Sequence, residues 1–183
     1  MPDSITGFSR IQESISPAMK PVIHNVKASV KLKGELKVLN SYTYKDKNFF
    51  VIRQKYTYII FKKKGGSQHV NITKIPCIAE ISQSVQELKG LLAWGELTVP
   101  VIDNLTATLN LGFTCNLSHL YGFMKDHYKV RYSAQKFPSL FWKLACGTAL
   151  VFATGKVILV GHKTLHELEQ AGEKCLSVIT KRF

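Results

Sequence analysis

Between residues 137 and 163, FPSLFWKLACGTALVFATGKVILVGHK, three short apolar runs are separated by turn-type residues. The β-branched runs Thr148 to Phe152 and Val157 to Val160, joined across Ala153-Thr154-Gly155-Lys156, predict a β-hairpin that Gly161 ends. Leu140 to Leu144 predicts a neighbouring strand, opened by Phe137-Pro138, because a proline suits a strand start or edge better than a centre. A helix follows. Thr164 and Glu167 have the spacing of a capping box, and Leu165, Leu168, Cys175, Leu176 and Ile179 recur near helical period. Phe141 and Leu176 are expected in the core.

The same order of elements occurs twice. VIHNVKASVKL (22–32) returns as VIDNLTATLNL (101–111), with Ile23, Asn25, Ala28 and Leu32 matched by Ile102, Asn104, Ala107 and Leu111. YIIFKKKGGSQHVNITK (58–74) then answers ALVFATGKVILVGHK (149–163) as strand, turn, strand. An internal duplication therefore organises the chain. In the first half, Pro76 precedes a helix with the stripe Ile78, Ile81, Val85 and Leu88. Leu117, Leu120, Tyr121 and Met124 predict a short helix in the second half, and Leu36, Leu39 and Tyr42 a shorter counterpart in the first. The expected layout is a tail over 1–18, a first repeat over 19–92 and a second over 93–183. In HVNITKI, Val70 and Ile72 should face helices while His69, Asn71 and Thr73 face away.

The second-half pattern, FPSL, LVF, TGK and VILVG before a helix, resembles the second repeat of the TATA-box-binding protein family. The resemblance covers about 45 residues in order and spacing, and the duplication extends it to the whole. It implies an α+β fold, a saddle in which a ten-stranded antiparallel sheet is concave beneath and carries four helices on its convex side.

Bulk properties agree with an intracellular nucleic-acid binder. The 183 residues are 45% hydrophobic, enough for a core, and no apolar run approaches the roughly 20 residues of a membrane span. MPDSITGFSR has no signal-peptide apolar region. Cys77, Cys115, Cys146 and Cys175 are too scattered for metal-binding pairs and are expected as reduced, mostly buried thiols. Lys and Arg number 25 against 12 Asp and Glu, a net +13, which points to a polyanion. No Gly-rich phosphate loop, HExxH or GxSxG occurs; His162 and His166 near Glu169 are better read as residues of a helix cap than as a metal site, and neither enzyme activity nor a cofactor is expected.

Carried over residue by residue, the resemblance implies aromatic wedges at Phe137 and Phe152 in the second repeat, and at Phe50 (or Phe49) and Phe61 in the first. Phenylalanines in strands also serve as core. Groove-floor contacts fall to Asn25 and Asn104, whose amides can donate to adenine N3 and thymine O2. Ile59, Asn71, Thr73, Thr106, Leu150 and Ile158 complete the floor. Phosphate contacts fall to Lys27, Lys62, Lys63, Lys64, Lys143, Lys156 and Lys163.

Departures from the family pattern matter equally. Lys27 and Asn71 stand where the family has small apolar groove contacts, and Thr106 and Val160 replace a valine and a threonine. The first 91 residues carry +9 and the remainder +4, so the first half should lean more on phosphate. The loop before Phe137 reads Tyr132-Ser133-Ala134-Gln135-Lys136, without the acidic residues that dock the B-type initiation factor in the family. A co-diverged partner, as in a divergent protist or a large DNA virus, would account for this. The function implied is a nuclear (or viral-compartment) general initiation factor that bends A·T-rich promoter DNA and recruits a B-type factor and the RNA polymerase machinery. The alternative is a saddle-shaped protein scaffold or RNA-binding module that has lost DNA bending.

Overall fold

The structure is a computed structural model that describes residues 19–33, 43–45, 48–61, 68–92 and 95–182. It contains the strands β1 (Val22–Lys33), β2 (Tyr44–Lys45), β3 (Phe49–Arg53), β4 (Thr57–Phe61), β5 (Gln68–Ile75), β6 (Glu96–Leu97), β7 (Val101–Asn110), β8 (Val130–Ser133), β9 (Phe137–Lys143), β10 (Thr148–Phe152) and β11 (Lys156–His162). Three α-helices are present among the described residues, α1 (Ile81–Leu91), α2 (Leu117–Met124) and α3 (Leu165–Ile179). All strands join one antiparallel sheet, in the order β2-β3-β4-β5-β1-β7-β11-β10-β9-β8. The two-residue β6, which pairs with β1 off this path, makes eleven strands among the described residues where ten are expected. The expected tail and the first repeat's short helix lie outside the described residues.

The duplication becomes a local two-fold relation at the centre of the sheet. β1 pairs with β7 so that Val26 faces Leu105, Asn25 faces Thr106 and Lys27 faces Asn104; exchanging the repeats maps this register onto itself. β5 flanks β1 as β11 flanks β7. Asn71 pairs with Ser29 and Ile59, and its counterpart Ile158 pairs with Thr108 and Leu150.

One face of the sheet is packed and the other is open. Val26, Ala28, Val30, Leu32, Val70 and Ile72 are buried, and the intervening residues Lys27, Asn71 and Thr73 are half-exposed, as alternation requires, although Ser29 between Ala28 and Val30 is buried as well. The buried residues form one cluster under α1 and a second under α2 and α3. Ile81, Val85 and Leu88 seat α1, which a 3-10 turn over Ile78–Glu80 precedes. Leu168, Cys175 and Ile179 seat α3 as expected, while Leu165 is exposed and Leu176 only skirts the core. Thr164 Oγ1 accepts the Glu167 N–H at 3.1 Å, and Glu167 Oε2 accepts the Lys163 N–H at 2.7 Å, so two orphan donors of the helix start are met. The backbone N–H groups of Lys163, first, and of Thr164 hold the Glu167 carboxyl below the usual range.

One expectation about a strand end is corrected. Gly161 does not end β11. It takes a φ of +88° in a bulge, and the strand runs on to His162, which pairs with Leu105. Phe137-Pro138 open β9 as expected, beside the irregular register between β8 and β9. Of the cysteines, all free, Cys115 and Cys175 are buried, and desolvation pushes the Cys175 thiol up to about 12. Cys77 is half-buried and Cys146 exposed, fewer buried than expected.

Candidate nucleic-acid interface

The open face has a graded composition from centre to edges. Asn25 and Asn104 lie half-buried on the two central strands. Outward come Ile59, Asn71 and Thr73 on one side and Leu150, Ile158 and Val160 on the other, all half-exposed. Beyond them, towards the two sheet edges, sit aromatic clusters.

In the second repeat, Phe137 lies 5.2 Å from Phe141 and 6.5 Å from Phe152, ring centroid to centroid. Pairing explains the grouping. Phe152 faces Ser139 and Leu150 faces Phe141 across β10 and β9, so Phe137 and Phe141 project to the open face, Ser139 of the same parity is buried, and Leu140 and Trp142 go to the core. Phe141 was expected in the core, yet it is 38% exposed. The run Leu140 to Leu144 is apolar at both parities apart from Lys143, so periodicity gives no face; the burial of Trp142 does.

In the first repeat the partner of Phe61 is Phe49, at 6.1 Å, with Tyr44 a further 5.8 Å from Phe49. Phe50 instead faces Ile60 and packs against the core under α1. The choice of Phe50 as an open-face aromatic is therefore corrected to Phe49, since neighbouring residues of a strand point to opposite faces. The two clusters are not copies. Phe49 corresponds to Ser139, because each is paired with the last phenylalanine of its hairpin, and the position matching Phe137 lies two residues before Phe49, outside the described residues.

The central asparagines also differ. Asn104 Oδ1 accepts the Gly161 N–H at 2.7 Å, and its amide donates to Thr106 Oγ1 at 3.0 Å, which fixes the side chain. In the first repeat Lys27 stands in the place of Thr106, and Lys74, with a φ of +63°, in that of Gly161. Asn25 makes no side-chain hydrogen bond among the described residues. Ser29 Oγ donates to Asp103 Oδ1 at 3.1 Å, a polar pair on the floor that sequence periodicity does not reveal because Asp103 sits in the bulge opposite Lys27 and Ala28.

Lys143 and Lys156 are exposed on the second-repeat strands, and Lys163 is exposed just beyond β11; Lys62, Lys63 and Lys64 lie outside the described residues. Among the described residues no group of His, Cys, Asp and Glu is placed to hold a metal ion. His162 and His166 are separated by burial, the first fully enclosed and the second exposed. No described helix is long and apolar enough to cross a membrane.

Residues 99–182 match the family described as "Transcription factor TFIID (or TATA-binding protein, TBP)". The fold matches the TBP of Methanococcus jannaschii with a TM-score of 0.72 at 25% identity, over 88% of this chain and 99% of that one. This chain is a divergent member of the TATA-binding-protein family. The TATA-box-binding protein-like 1 of Entamoeba histolytica is 31% identical over 88 residues, 47% of this chain and 39% of that protein. The TATA-box-binding protein of Sulfolobus acidocaldarius is 30% identical over 82 residues, 44% of this chain and 40% of that protein. The aligned stretches thus span about two fifths of each curated relative. The family's saddle fold is present, and the family match falls on the repeat whose open face is the more apolar.

Proposed function

We propose that this family member is a non-enzymatic general transcription initiation factor that binds and bends double-stranded DNA through the minor groove with its open face. The observation that carries the reading is the order of side chains across that face: exposed aromatics towards both edges, Asn25 and Asn104 at the centre and half-exposed floor residues between them. Apolar wedges near the two ends suit unstacking of two base steps, and central amides suit the acceptors on the groove floor. Phe61, at 38% exposure, and Phe137, at 43%, are set out towards a partner rather than buried, against what a protein scaffold with a vestigial face would need. Lys143, Lys156 and Lys163, with Lys62, Lys63 and Lys64, would supply the phosphate contacts.

The partners proposed are a promoter duplex, a diverged B-type factor and the RNA polymerase machinery. Of the relatives named above one is from a eukaryote and two are from archaea, which supports nuclear or equivalent transcription rather than a viral compartment. The test is a salt-titrated binding comparison of A·T-rich duplex, G·C-rich duplex and a structured RNA. DNA bending is read by energy transfer between duplex ends. Preference for RNA, or binding to A·T-rich duplex without a bend, would sink the proposal.

A further inference from the structure

We infer that the two halves of the groove floor read different base pairs, the first-repeat half accepting a G·C pair and the second-repeat half demanding A·T. The inference rests on the DNA-binding reading above. Its basis is the difference between matched positions. On the second-repeat side the floor is Leu150, Ile158 and Val160, three apolar side chains in one patch of paired strands. On the first-repeat side the matched residues are Ile59, Asn71 and Thr73. Towards the centre, Lys27 replaces Thr106, and the Ser29–Asp103 pair lies beside Asn71, which is opposite Ser29 in register.

In the minor groove an A·T pair shows acceptors only, and a G·C pair adds the guanine N2–H2 donor. Pressed against Leu150, Ile158 and Val160, that donor loses its water and finds no acceptor, the situation in which an unmade hydrogen bond is most costly. Asn71 has both a carbonyl acceptor for the guanine amine and an amide donor for the cytosine O2, and makes no side-chain hydrogen bond among the described residues. The second carboxylate oxygen of Asp103 is a further acceptor, and Lys27, likewise without a side-chain partner among the described residues, is a further donor. Asn71 is therefore the specificity-determining residue of this half, with Lys27 and Asp103 in support.

The test uses one A·T tract in three versions: unaltered, with a G·C pair at one off-centre position, and with G·C pairs at both symmetry-related positions. A complex free to choose its direction turns the first repeat towards a single G·C pair. The singly substituted duplex should therefore bind within about threefold of the parent, and the doubly substituted one about tenfold or more weaker. Asn71→Ile, which installs the residue of the second repeat, should make the single substitution cost about tenfold relative to the same variant on the parent tract. The reciprocal Ile158→Asn should restore binding to the doubly substituted duplex. Thermal melting of each variant checks that the fold persists. Equal affinity for all three duplexes, a full penalty for the single substitution in the unaltered protein, or no effect of Asn71→Ile would overturn the inference. Failure to bind any of the three would instead overturn the DNA-binding reading on which it stands.

Discussion

Ile75 and His162 occupy the same place in the two repeats: each follows a residue of positive φ at a bulge, pairs with a central-strand residue (Val26 or Leu105) and is fully buried. The second repeat thus encloses an imidazole where the first encloses an aliphatic side chain. Among the described residues neither ring nitrogen of His162 has a hydrogen-bond partner, and burial pushes its pKa below the usual range; Glu167 opposes this shift and Lys143 adds to it.

The consequence is an acid-sensitive second repeat. Between the lowered folded value and the unfolded value near 6.5, the unfolded chain binds a proton that the folded chain does not, so stability rises with pH through this window. The His162 contribution is complete above about pH 6.5 and is lost as the pH falls. His162→Leu should flatten that loss. It should also raise the melting temperature by a few degrees at neutral pH, since two unpaired buried nitrogens cost about 1–3 kcal/mol. Circular-dichroism melts at about pH 7.5 and about pH 5.5 decide the matter, and parallel pH dependence in the two proteins would exclude His162 as the cause.

A second prediction separates the open face from the core within one strand. Trp142→Ala should destabilise by about 3–5 kcal/mol, as a large truncation in a closed environment. Phe141→Ala, one residue away and on the other face, should cost well under that, because much of the side chain already meets solvent. Phe137→Ala and Phe152→Ala should leave the fold intact and remove the bend in bound DNA, with a weaker, salt-sensitive association remaining. Unfolding by either change, with the bend kept by the folded fraction, would favour the scaffold reading.

These residues also mark what the sequence discloses and what it does not. The hairpin of β10 and β11, the helix α3 with its Thr164 cap, and α2 were legible because each depends on local pattern: β-branched runs across a short turn, a cap three residues from its partner, apolar residues at i, i+3, i+4 and i+7. The duplication added the central pair of strands. Phe49 against Phe50 was not legible, because the two adjacent phenylalanines have opposite parity and only the pairing with Phe61 selects one. Nor was the continuation through Gly161, since a glycine after a strand reads as an end unless the partner strand shows the bulge. The Ser29–Asp103 bond joins residues distant in sequence and follows from the register of β1 and β7 alone.

The third prediction is electrostatic and follows from the net +13 and from the exposed lysines on and beside the outer strands of the second repeat. If about six phosphates are neutralised, log K should fall against log salt with a slope near −5. Replacing Lys143, Lys156 and Lys163 together by Ala should reduce the magnitude of that slope by about 2–3 without changing which sequence is preferred. A slope near zero in the unaltered protein would remove duplex binding as its main activity.

The last prediction concerns the turn between β8 and β9. Ser133 to Lys136 are exposed there, and the Lys136 N–H donates to the Ser133 carbonyl at 3.0 Å, so the turn is closed by its own backbone and its side chains are free to be changed. The turn carries a lysine and no carboxylate, whereas the resemblance implies acidic side chains at this place for docking a B-type factor. A conventional B-type factor should therefore bind the DNA complex weakly. Ala134→Glu with Lys136→Glu should strengthen it by about 0.5–2 kcal/mol, the worth of two exposed ion pairs. Most of the gain should appear in the association rate and fade as salt rises, because rim charges steer the encounter more than they hold the complex. Ternary-complex formation measured by gel shift at two salt concentrations distinguishes the outcomes. Tight assembly with the unaltered protein, or no gain from the two glutamates at low salt, would mean that the factor docks on another surface of the saddle.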